Sequence, residues 1–448
     1  MITLPLLPES NMESIVAYRG ASPVTRTEFL QDVLALATKI PETGHILNLC
    51  KDRYWFAVTL FAGISRGILS VLPNSIAPEV IAGLGRELPD LVCLGDQLSS
   101  IHPLPYIHVS ENQGAISEAA PVIPRIPFEQ RIIQVYTSGS TGKPQGHAKT
   151  FGRICQCAIA ESKRMWSATG KPCAVLGTVP FQHMYGLEST IFLPLLGGGQ
   201  LTSRLPFFPA DVFAAMAELP APCLLVTTPF HLRKLVDADI EFPQVAAIVS
   251  ATAPLSSDLA SKTEALLNAP VLEIYGSTET GQIATRQPTR HTEWETYEGI
   301  ALVQKQGTTI VSGGHLESVQ TLNDVIELFG PSKFRLLGRN SDMVNVAGKR
   351  NSLAYLNNII ASLPGVRDGI FCIQEYTQDR DVSRLAAFVV ATGLSTNDIQ
   401  SSLLKHLDPV FLPRPIVFLE TLPRDGNGKI TASAMAELIA RHITGCSK

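Results

Sequence analysis

YTSGSTGKPQG, residues 136–146, follows a short apolar run and combines three glycines, several small hydroxyl side chains and a lysine. Because glycine lets the backbone approach a ligand closely, such a loop can direct N–H groups and hydroxyls at one anion. Lys143 adds a point charge suited to phosphate. The segment differs from a Walker A loop, since only two residues separate Gly139 from Gly142 and Pro144 replaces its Ser or Thr. Composition alone leaves a phosphate-binding loop and an ordinary polar turn equally open.

Strand-like and helix-like segments alternate around this loop. Short runs rich in Val, Ile and Leu, each closed by turn residues, predict buried strands at 132–136, 173–179, 223–227, 246–250 and 271–275. Helical patterns occupy 210–219 and 256–267, the second opened by Ser256 or Ser257 as N-cap. This order predicts an α/β fold with largely parallel strand pairing.

The pattern changes after residue 338. A helix ending at Pro364 precedes two strands, at 369–376 and 385–392. A helix at 397–407 and a last strand at 414–419 follow. A chain of 448 residues is also longer than one hydrophobic core usually organises. We therefore predict an N-terminal domain, residues 1–338, and a small α+β C-terminal domain, residues 339–448, with a hinge near 339–342.

Composition argues against several classes of function. A net charge of −4 gives no reason to expect a nucleic acid partner. The first residues lack the basic region of a secretory signal, and apolar stretches such as 55–64 are too short to span a membrane, so we expect a cytoplasmic protein. Cys155 and Cys157 form a C-x-C without a second ligand pair nearby, which favours free thiols over a zinc site.

Four motifs, in this order, resemble those of the adenylate-forming superfamily of acyl- and aryl-CoA ligases, nonribosomal-peptide adenylation domains and firefly-type luciferases. They are the loop at 136–146, IYGSTET at 274–280, GRNSDMVNVAGKR at 338–350 and LPRDGNGKI at 422–430. The resemblance spans roughly residues 15 to 435. It implies a large N-terminal α/β domain and a small, mobile C-terminal lid.

The first two motifs carry the implied nucleotide site. In the loop, the implied phosphate-binding residues are Thr137, Ser138, Gly139, Ser140, Thr141, Gly142 and Lys143. The second motif implies that Tyr275 packs on adenine, Thr278 bonds the α-phosphate and Glu279 holds magnesium. A single glutamate suffices, because Mg²⁺ keeps several waters and bridges to substrate phosphates. A Thr-Glu pair that caps a helix is the alternative reading.

The last two motifs carry the ribose contact, the hinge and the implied catalytic lysine. Asp324, fifteen positions before Arg339, stands where the family binds the ribose hydroxyls, although LND replaces the usual TGD. The implied pivot is Ser341, where the family more often has Asp or Lys. Lys429 is the implied catalytic cation of the first half-reaction, which stabilises charge where carboxylate meets phosphate. The hinge and thiol-facing residues are Ser341, Asn345, Gly348 and Arg350.

The segment TVPFQHMYGLE, residues 178–188, lies where the family's acyl pocket and thiol tunnel meet. His183 fits the position that gates the carboxylate side of the site. Ala251 and Thr252 stand where many relatives have two glycines, so we expect a shortened cavity that disfavours long flexible chains. The expected pocket wall consists of Met184, Tyr185, Ser250, Ala251, Thr252, Ala253 and Glu273.

The implied reaction has two steps and uses ATP and Mg²⁺. A carboxylate attacks the α-phosphate to give acyl-AMP, and a thiol of CoA or of phosphopantetheine then takes the acyl group, which leaves an acyl carrier protein open as a partner. The phosphate loop ends in PQG instead of PKG, and we prefer the hypothesis that Lys149 supplies the charge that Gln145 lacks.

The QHMYGLE phrase, the PQG ending, the lysine that soon follows it and the short chain together resemble ligases of bacterial aryl polyene (xanthomonadin-type) pigment pathways. This resemblance implies a hydroxylated aromatic acid as substrate. Two alternatives stay open: a fatty acyl-CoA or acyl-carrier-protein ligase, and a catalytically degenerate adenylate-binding protein. The sequence does not decide the acid, the thiol or the oligomeric state.

Overall fold

The structure is a computed structural model of the chain. It describes residues 2–73, 75–97, 104–110, 121–138, 144–305, 308–339, 343–346, 349–374, 384–424 and 430–443. Among these residues no helix combines the length and the apolar character that crossing a membrane requires.

Strands and helices alternate along the described chain. The strands are β1 (Thr3–Pro5), β2 (Ile15–Arg19), β3 (Ser22–Thr25), β4 (His45–Asn48), β5 (Leu69–Leu72), β6 (Val92–Gly95), β7 (Tyr106–His108), β8 (Arg125–Pro127), β9 (Arg131–Ser138), β10 (Pro144–Thr150), β11 (Ala174–Gly177), β12 (Gln200–Thr202), β13 (Leu224–Thr227), β14 (Ala247–Ser250), β15 (Val271–Ser277), β16 (Gly281–Arg286), β17 (Trp294–Thr296), β18 (Ile300–Lys305), β19 (Thr308–Gly313), β20 (Gln320–Leu322), β21 (Asp324–Leu328), β22 (Lys333–Arg339), β23 (Met343–Val346), β24 (Lys349–Ser352), β25 (Val366–Gln374), β26 (Arg384–Ala391) and β27 (Ile416–Phe418). The α-helices are α1 (Arg26–Lys39), α2 (Arg53–Ser65), α3 (Pro78–Glu87), α4 (Phe151–Thr169), α5 (Met184–Leu187), α6 (Leu193–Leu196), α7 (Pro209–Ala217), α8 (Pro229–Val236), α9 (Ser257–Leu267), α10 (Leu353–Ser362), α11 (Thr396–Leu403) and α12 (Ala432–His442). A π-helical turn, Glu188–Phe192, joins α5 to α6, and Pro409–Phe411 form a 3-10 turn.

The largest sheet has the order β21-β22-β17-β16-β15-β14-β13-β11-β12-β2-β3 in the described chain. The central strands β2, β12, β11, β13, β14 and β15 pair in parallel. At one end β3 pairs antiparallel with β2, and at the other end β16, β17, β22 and β21 continue the sheet in antiparallel pairs. The α/β prediction is confirmed, but parallel pairing is limited to the centre. The reason is local, because tight hairpins such as β15–β16 reverse the chain without a crossover helix.

A second sheet, β10-β9-β5-β4-β6-β7, carries the glycine-rich loop at its edge. β9 and β10 pair antiparallel, with Thr137 opposite Gln145 and Val135 opposite His147. Residues 139–143, which join the two strands, lie outside the described residues.

Helix α2 packs within the core and anchors the first sheet. Asp52 caps it by accepting from the Trp55 backbone N–H at 3.0 Å, and almost every side chain of the helix is buried. Arg53, fully buried, donates to the carbonyl oxygens of Gly177, Thr202 and Arg204 at 2.8, 2.9 and 2.6 Å. These bonds tie the helix to the ends of β11 and β12 and to Arg204 just after β12, so the carboxyl ends of these parallel strands are held in place.

Residues 343–443 have a hydrophobic core of their own, with α10 packed on the sheet β25-β26-β27. The predicted helices and strands of this region are present, with α10 and β25 close to their expected bounds. Asp368 of β25 accepts two bonds from Arg424, at 2.7 and 2.8 Å, and lies 3.7 Å from Arg233 of α8. The division into two domains stays a prediction, since hinge residues 340–342 lie outside the described residues.

Candidate active site

Thr278 and Glu279 lie in a tight turn, Thr278–Thr280, that connects β15 to β16. The Ser277 N–H donates to the Thr280 hydroxyl at 3.1 Å, and the Thr280 N–H donates to the Ser277 hydroxyl at 3.3 Å. A Cβ on Gly276 would lie 2.2 Å from the Gly281 carbonyl oxygen, so this close approach requires glycine. The alternative of a capped helix is therefore wrong, because the pair belongs to a hairpin.

Glu279 is half-buried and ionised. Burial raises the pKa of its carboxyl group, but its own backbone N–H and the Ser277 hydroxyl outweigh that effect and lower the pKa below the usual value. His147 Nε2 lies 3.7 Å from Glu279 Oε1 and 3.1 Å from the Thr137 hydroxyl. One imidazole therefore links the strand that enters the glycine-rich loop to the predicted magnesium ligand.

Lys149 lies two residues beyond His147 on β10, where it is only 5% exposed. Its Nζ donates to the backbone carbonyl oxygen of Glu279 at 2.7 Å. Because this ammonium group is buried and bonded to the protein, the position does not support the hypothesis that Lys149 replaces the missing phosphate-binding lysine. It supports a contact with the turn that carries Glu279 instead.

Tyr275 and Asp324, predicted to contact adenine and ribose, are hydrogen-bonded to each other. The Tyr275 hydroxyl donates to Asp324 Oδ2 at 2.7 Å. The Tyr275 ring packs against the buried rings of Trp294 and Phe334, with centroids 5.6 and 5.5 Å away, and is itself only partly buried. Asp324 and Arg339 are direct partners in the antiparallel pair β21–β22, so their fifteen-residue separation in sequence closes across a hairpin.

Helix α5 brings part of the predicted acid pocket to the carboxyl ends of the parallel strands. Exposed His183 occupies its N-cap position, and Met184 is buried in the core. The Tyr185 hydroxyl lies 3.1 Å from the carbonyl oxygens of both Thr227 and Val249, near the ends of β13 and β14. Open parallel sheets bind ligands at this edge.

The segment 250–253 follows β14 at the same edge. The Ser250 hydroxyl is fully buried and has no hydrogen-bond partner among the described residues, while Ala251 is buried and Ala253 half-buried. Thr252 is exposed and has a φ of 77°. A β-branched residue is strained in this left-handed region, which agrees with the glycine that the motif usually places there.

Glu273 has a different environment from the rest of the predicted wall. It is 3% exposed and accepts from Arg286 Nε at 2.6 Å and from the Leu255 N–H at 2.8 Å. Both of its oxygens are thus bonded to protein groups, and its role as a wall of the acid pocket stays a prediction.

Several predicted residues cannot be placed. The residues that lie outside the described chain are Gly139, Ser140, Thr141, Gly142, Lys143, Ser341, Gly348 and Lys429. The residues of which only the backbone is described, on β9, β22, β23 and β24, are Ser138, Arg339, Asn345 and Arg350. The seven cysteines of the described residues are free and buried.

His147, Trp294 and a buried polar cluster behind the turn were not predicted from the sequence. In that cluster Glu161 accepts from the Ser189 hydroxyl at 2.7 Å, and Ser189 in turn accepts from the Gln282 amide at 2.8 Å. The alternation of polar residues at 145, 147 and 149 could have indicated one functional strand face. No local sequence pattern predicts this cluster.

The donor set fits a magnesium ion shared with a phosphate ligand. Among the described residues no group of three or more His, Cys, Asp or Glu side chains could hold a metal unaided. The Glu279 carboxylate is the kind of hard oxygen ligand that Mg²⁺ prefers, and a single carboxylate suffices where phosphate oxygens and waters complete the shell. A cleft of about 640 Å³ opens beside Leu272, Arg290 and the far side of Trp294, and none of the site residues predicted from the sequence lines it.

Comparison with known proteins identifies the family. The family described as AMP-binding enzyme matches residues 37–320, more than half of the chain. The chain belongs to this family. The predicted fold is confirmed, as is the prediction that the chain is an enzyme of the acyl- or aryl-CoA synthetase type.

Relatives and solved structures agree with this assignment. A 4-coumarate–CoA ligase of Cereibacter sphaeroides is 28% identical over 66% of this chain and 69% of its own. A p-hydroxybenzoic acid–AMP ligase of Mycobacterium tuberculosis is 25% identical over 84% of this chain and 59% of its own. ATP-bound MatB from Rhodopseudomonas palustris superposes with a TM-score of 0.80 at 15% identity, covering 96% of this chain and 97% of its own. O-succinylbenzoate coenzyme A synthetase from Bacillus subtilis, in complex with AMP, gives 0.77 at 19% identity with the same coverage.

Proposed function

We propose that this AMP-binding enzyme uses ATP and Mg²⁺ to convert a carboxylic acid to its acyl-adenylate and then transfers the acyl group to a thiol of CoA or of phosphopantetheine. The observation that carries the proposal is the convergence of three distant segments. His147 lies between Thr137 and Glu279, and Tyr275 bonds Asp324. These contacts support a site in which the residues proposed to contact phosphate and metal lie near each other, as do those proposed to contact base and ribose.

Each contact has a defined task in this reaction. Glu279 would hold Mg²⁺, which neutralises charge on the phosphates when it is bound. The Tyr275 ring would pack on the adenine, and Asp324 would accept hydrogen bonds from the ribose hydroxyls. Because pyrophosphate and AMP are good leaving groups, most of the acceleration comes from positioning and from charge stabilisation.

We further propose that Lys429 supplies the cation of the first step and that residues 339–448 form a domain that moves about the hinge before the second. His183 would gate the carboxylate side. Lys429→Ala is expected to abolish adenylate formation while leaving thermal stability unchanged, because a loop lysine contributes charge and little packing. Unchanged turnover in this variant would contradict the assignment.

A hydroxylated aromatic acid is the proposed substrate, and production of an aryl polyene pigment in the cytoplasm is the proposed setting. Two relatives whose names specify 4-coumarate and p-hydroxybenzoic acid favour this class of acid. Ala251 and Thr252 support it, since side chains in place of glycines narrow the space for a long flexible chain.

The test is pyrophosphate release with benzoates, cinnamates and medium-chain fatty acids, each with hydroxylamine to trap the adenylate. CoA and a phosphopantetheine-loaded carrier protein are then added separately to identify the thiol. The strongest signal is expected with hydroxylated aromatic acids. A signal with fatty acids alone would overturn the proposed acid and keep the chemistry, whereas silence with every acid would favour a degenerate adenylate-binding protein.

A further inference from the structure

Two side chains on one face of β10 approach Glu279, one at its carboxylate and one at its backbone carbonyl. Side chains two apart on a strand share a face, so His147 and Lys149 point the same way. His147 Nε2 is 3.7 Å from the Glu279 carboxylate, and Lys149 Nζ is 2.7 Å from the Glu279 carbonyl oxygen. The strand that leaves the glycine-rich loop therefore contacts the predicted magnesium ligand through its side chain and its backbone.

The ammonium group of Lys149 lies near two acidic groups, of which Glu188 is buried and Glu317 half-buried. Burial lowers the pKa of Lys149, and the carboxyl groups of Glu188 and Glu317 oppose that shift. Glu188 is 4% exposed; burial raises the pKa of its carboxyl group to about 7, and Lys149 counteracts the shift. A buried ammonium group is costly without such a counter-charge.

Glu188 also lies directly against the end of the turn. A Cβ on Gly281, the residue after Thr280, would come within 2.6 Å of Glu188 Oε1, and Gly281 has a φ of +69°. Only glycine fits both conditions. The turn that carries Glu279 thus rests on Glu188 at one end and on the Lys149 ammonium group in the middle.

We propose that Lys149 is a positioning residue that fixes the Glu279 peptide, and so the direction of its carboxylate, with Glu188 as its buried counter-charge. The inference rests on the proposed function and deepens it. Mg²⁺ demands near-ideal octahedral geometry, so a turn that loses this hydrogen bond should hold the ion less well even though every metal-binding oxygen remains. Lys149 would then act through Glu279, without contact to a phosphate.

The test is Lys149→Met, which keeps an unbranched side chain and removes the donor. The Mg²⁺ concentration for half-maximal adenylate formation and the KM for ATP should each rise about tenfold, the effect of one lost charge-assisted hydrogen bond. Saturating Mg²⁺ should restore most of kcat, and the KM for the acid should stay constant. The matched control is Lys163→Met, whose exposed ion pair with Glu298 lies far along α4 and whose loss should change none of these values.

A second variant separates positioning from folding. Lys149→Met combined with Glu188→Gln removes both buried charges, so it should melt close to the wild type and retain the tenfold Mg²⁺ shift. A folded double variant with wild-type Mg²⁺ dependence would overturn the inference. Lack of adenylate formation by the wild-type enzyme with any acid would instead overturn the proposed function.

Discussion

Glu273→Ala tests whether Glu273 serves as the buried ion-pair partner of Arg286 or as a wall of the acid pocket. Glu273 Oε2 accepts from Arg286 Nε and Nη2, both at 2.6 Å, and Oε1 accepts from the Leu255 N–H. The Arg286 guanidinium also lies 4.7 Å from the centre of the Trp294 ring. The substitution would leave one buried N–H and one largely buried cation without their partner.

The expected loss follows from these contacts. Breaking a buried ion pair by removing one partner costs about 3–5 kcal/mol. The Arg286 side chain retains 19% exposure and its contact with Trp294, so we expect a value near the lower end, about 3 kcal/mol. Glu295→Ala is the matched control, because its 2.9 Å pair with Arg164 is partly exposed and should contribute less than about 1 kcal/mol.

Urea unfolding followed by tryptophan fluorescence measures both changes. The three tryptophans, Trp55, Trp166 and Trp294, all precede residue 339, so the signal reports the N-terminal part of the chain. We expect Glu273→Ala to lower the unfolding free energy and to leave the ranking of acid substrates unchanged. Equal stability of the two variants, with a changed acid ranking for Glu273→Ala, would refute the ion-pair account and favour the pocket-wall prediction.

Three further predictions follow from other parts of the structure. Asp368→Ala should destabilise residues 343–443 by about 2 kcal/mol, whereas Arg233→Ala should cost less than about 1 kcal/mol. The reason is that Arg424 makes two short bonds to Asp368, while Arg233 only approaches it. Calorimetry measures both changes, and equal effects would contradict this ranking. Thr252→Gly should raise the urea midpoint, since the relief of about 1–3 kcal/mol of left-handed strain exceeds the roughly 0.5–1 kcal/mol entropic cost of glycine; a lower midpoint would argue against strain. Burial raises the pKa of Glu161 to about 8, so the folded state keeps a proton that the unfolded state releases near pH 4.5. The stability from this group is therefore complete below about pH 4.5 and lost as the pH rises towards 8, and Glu161→Gln should flatten the decline measured by denaturation at pH 5, 6.5 and 8.

Local sequence patterns were sufficient for the framework of the fold. The apolar runs that predict β13 and β14 need only their own residues, because a buried strand is apolar on both faces. The association of Asp324 with Arg339 could also be inferred from the sequence, because their fixed spacing in the motif corresponds to the register of a hairpin. The Ser256 cap is confirmed by its bond to the Leu259 N–H at 3.2 Å.

Contacts between distant segments account for what the sequence could not provide. Glu273 was expected in the pocket wall, but its charge is paired with a residue on the neighbouring strand, which no pattern along one strand reveals. The Thr278-Glu279 pair is compatible with both a helix cap and a turn, and the pairing of β15 with β16 decides between them. From the sequence Lys149 was expected to be an accessible cation, but in the structure it is buried and bonded to the carbonyl oxygen of Glu279.

Acid activation at the site around Glu279 can be followed as acid-dependent exchange of labelled pyrophosphate into ATP. The exchange is measured in Mg²⁺ with the wild type and with Glu279→Ala. We expect exchange with a hydroxylated aromatic acid by the wild type and at least a hundredfold loss in the variant, because losing one group that stabilises transition-state charge typically costs about 3 kcal/mol. Exchange at the wild-type rate by Glu279→Ala, or no exchange by the wild type with any acid, would overturn this assignment.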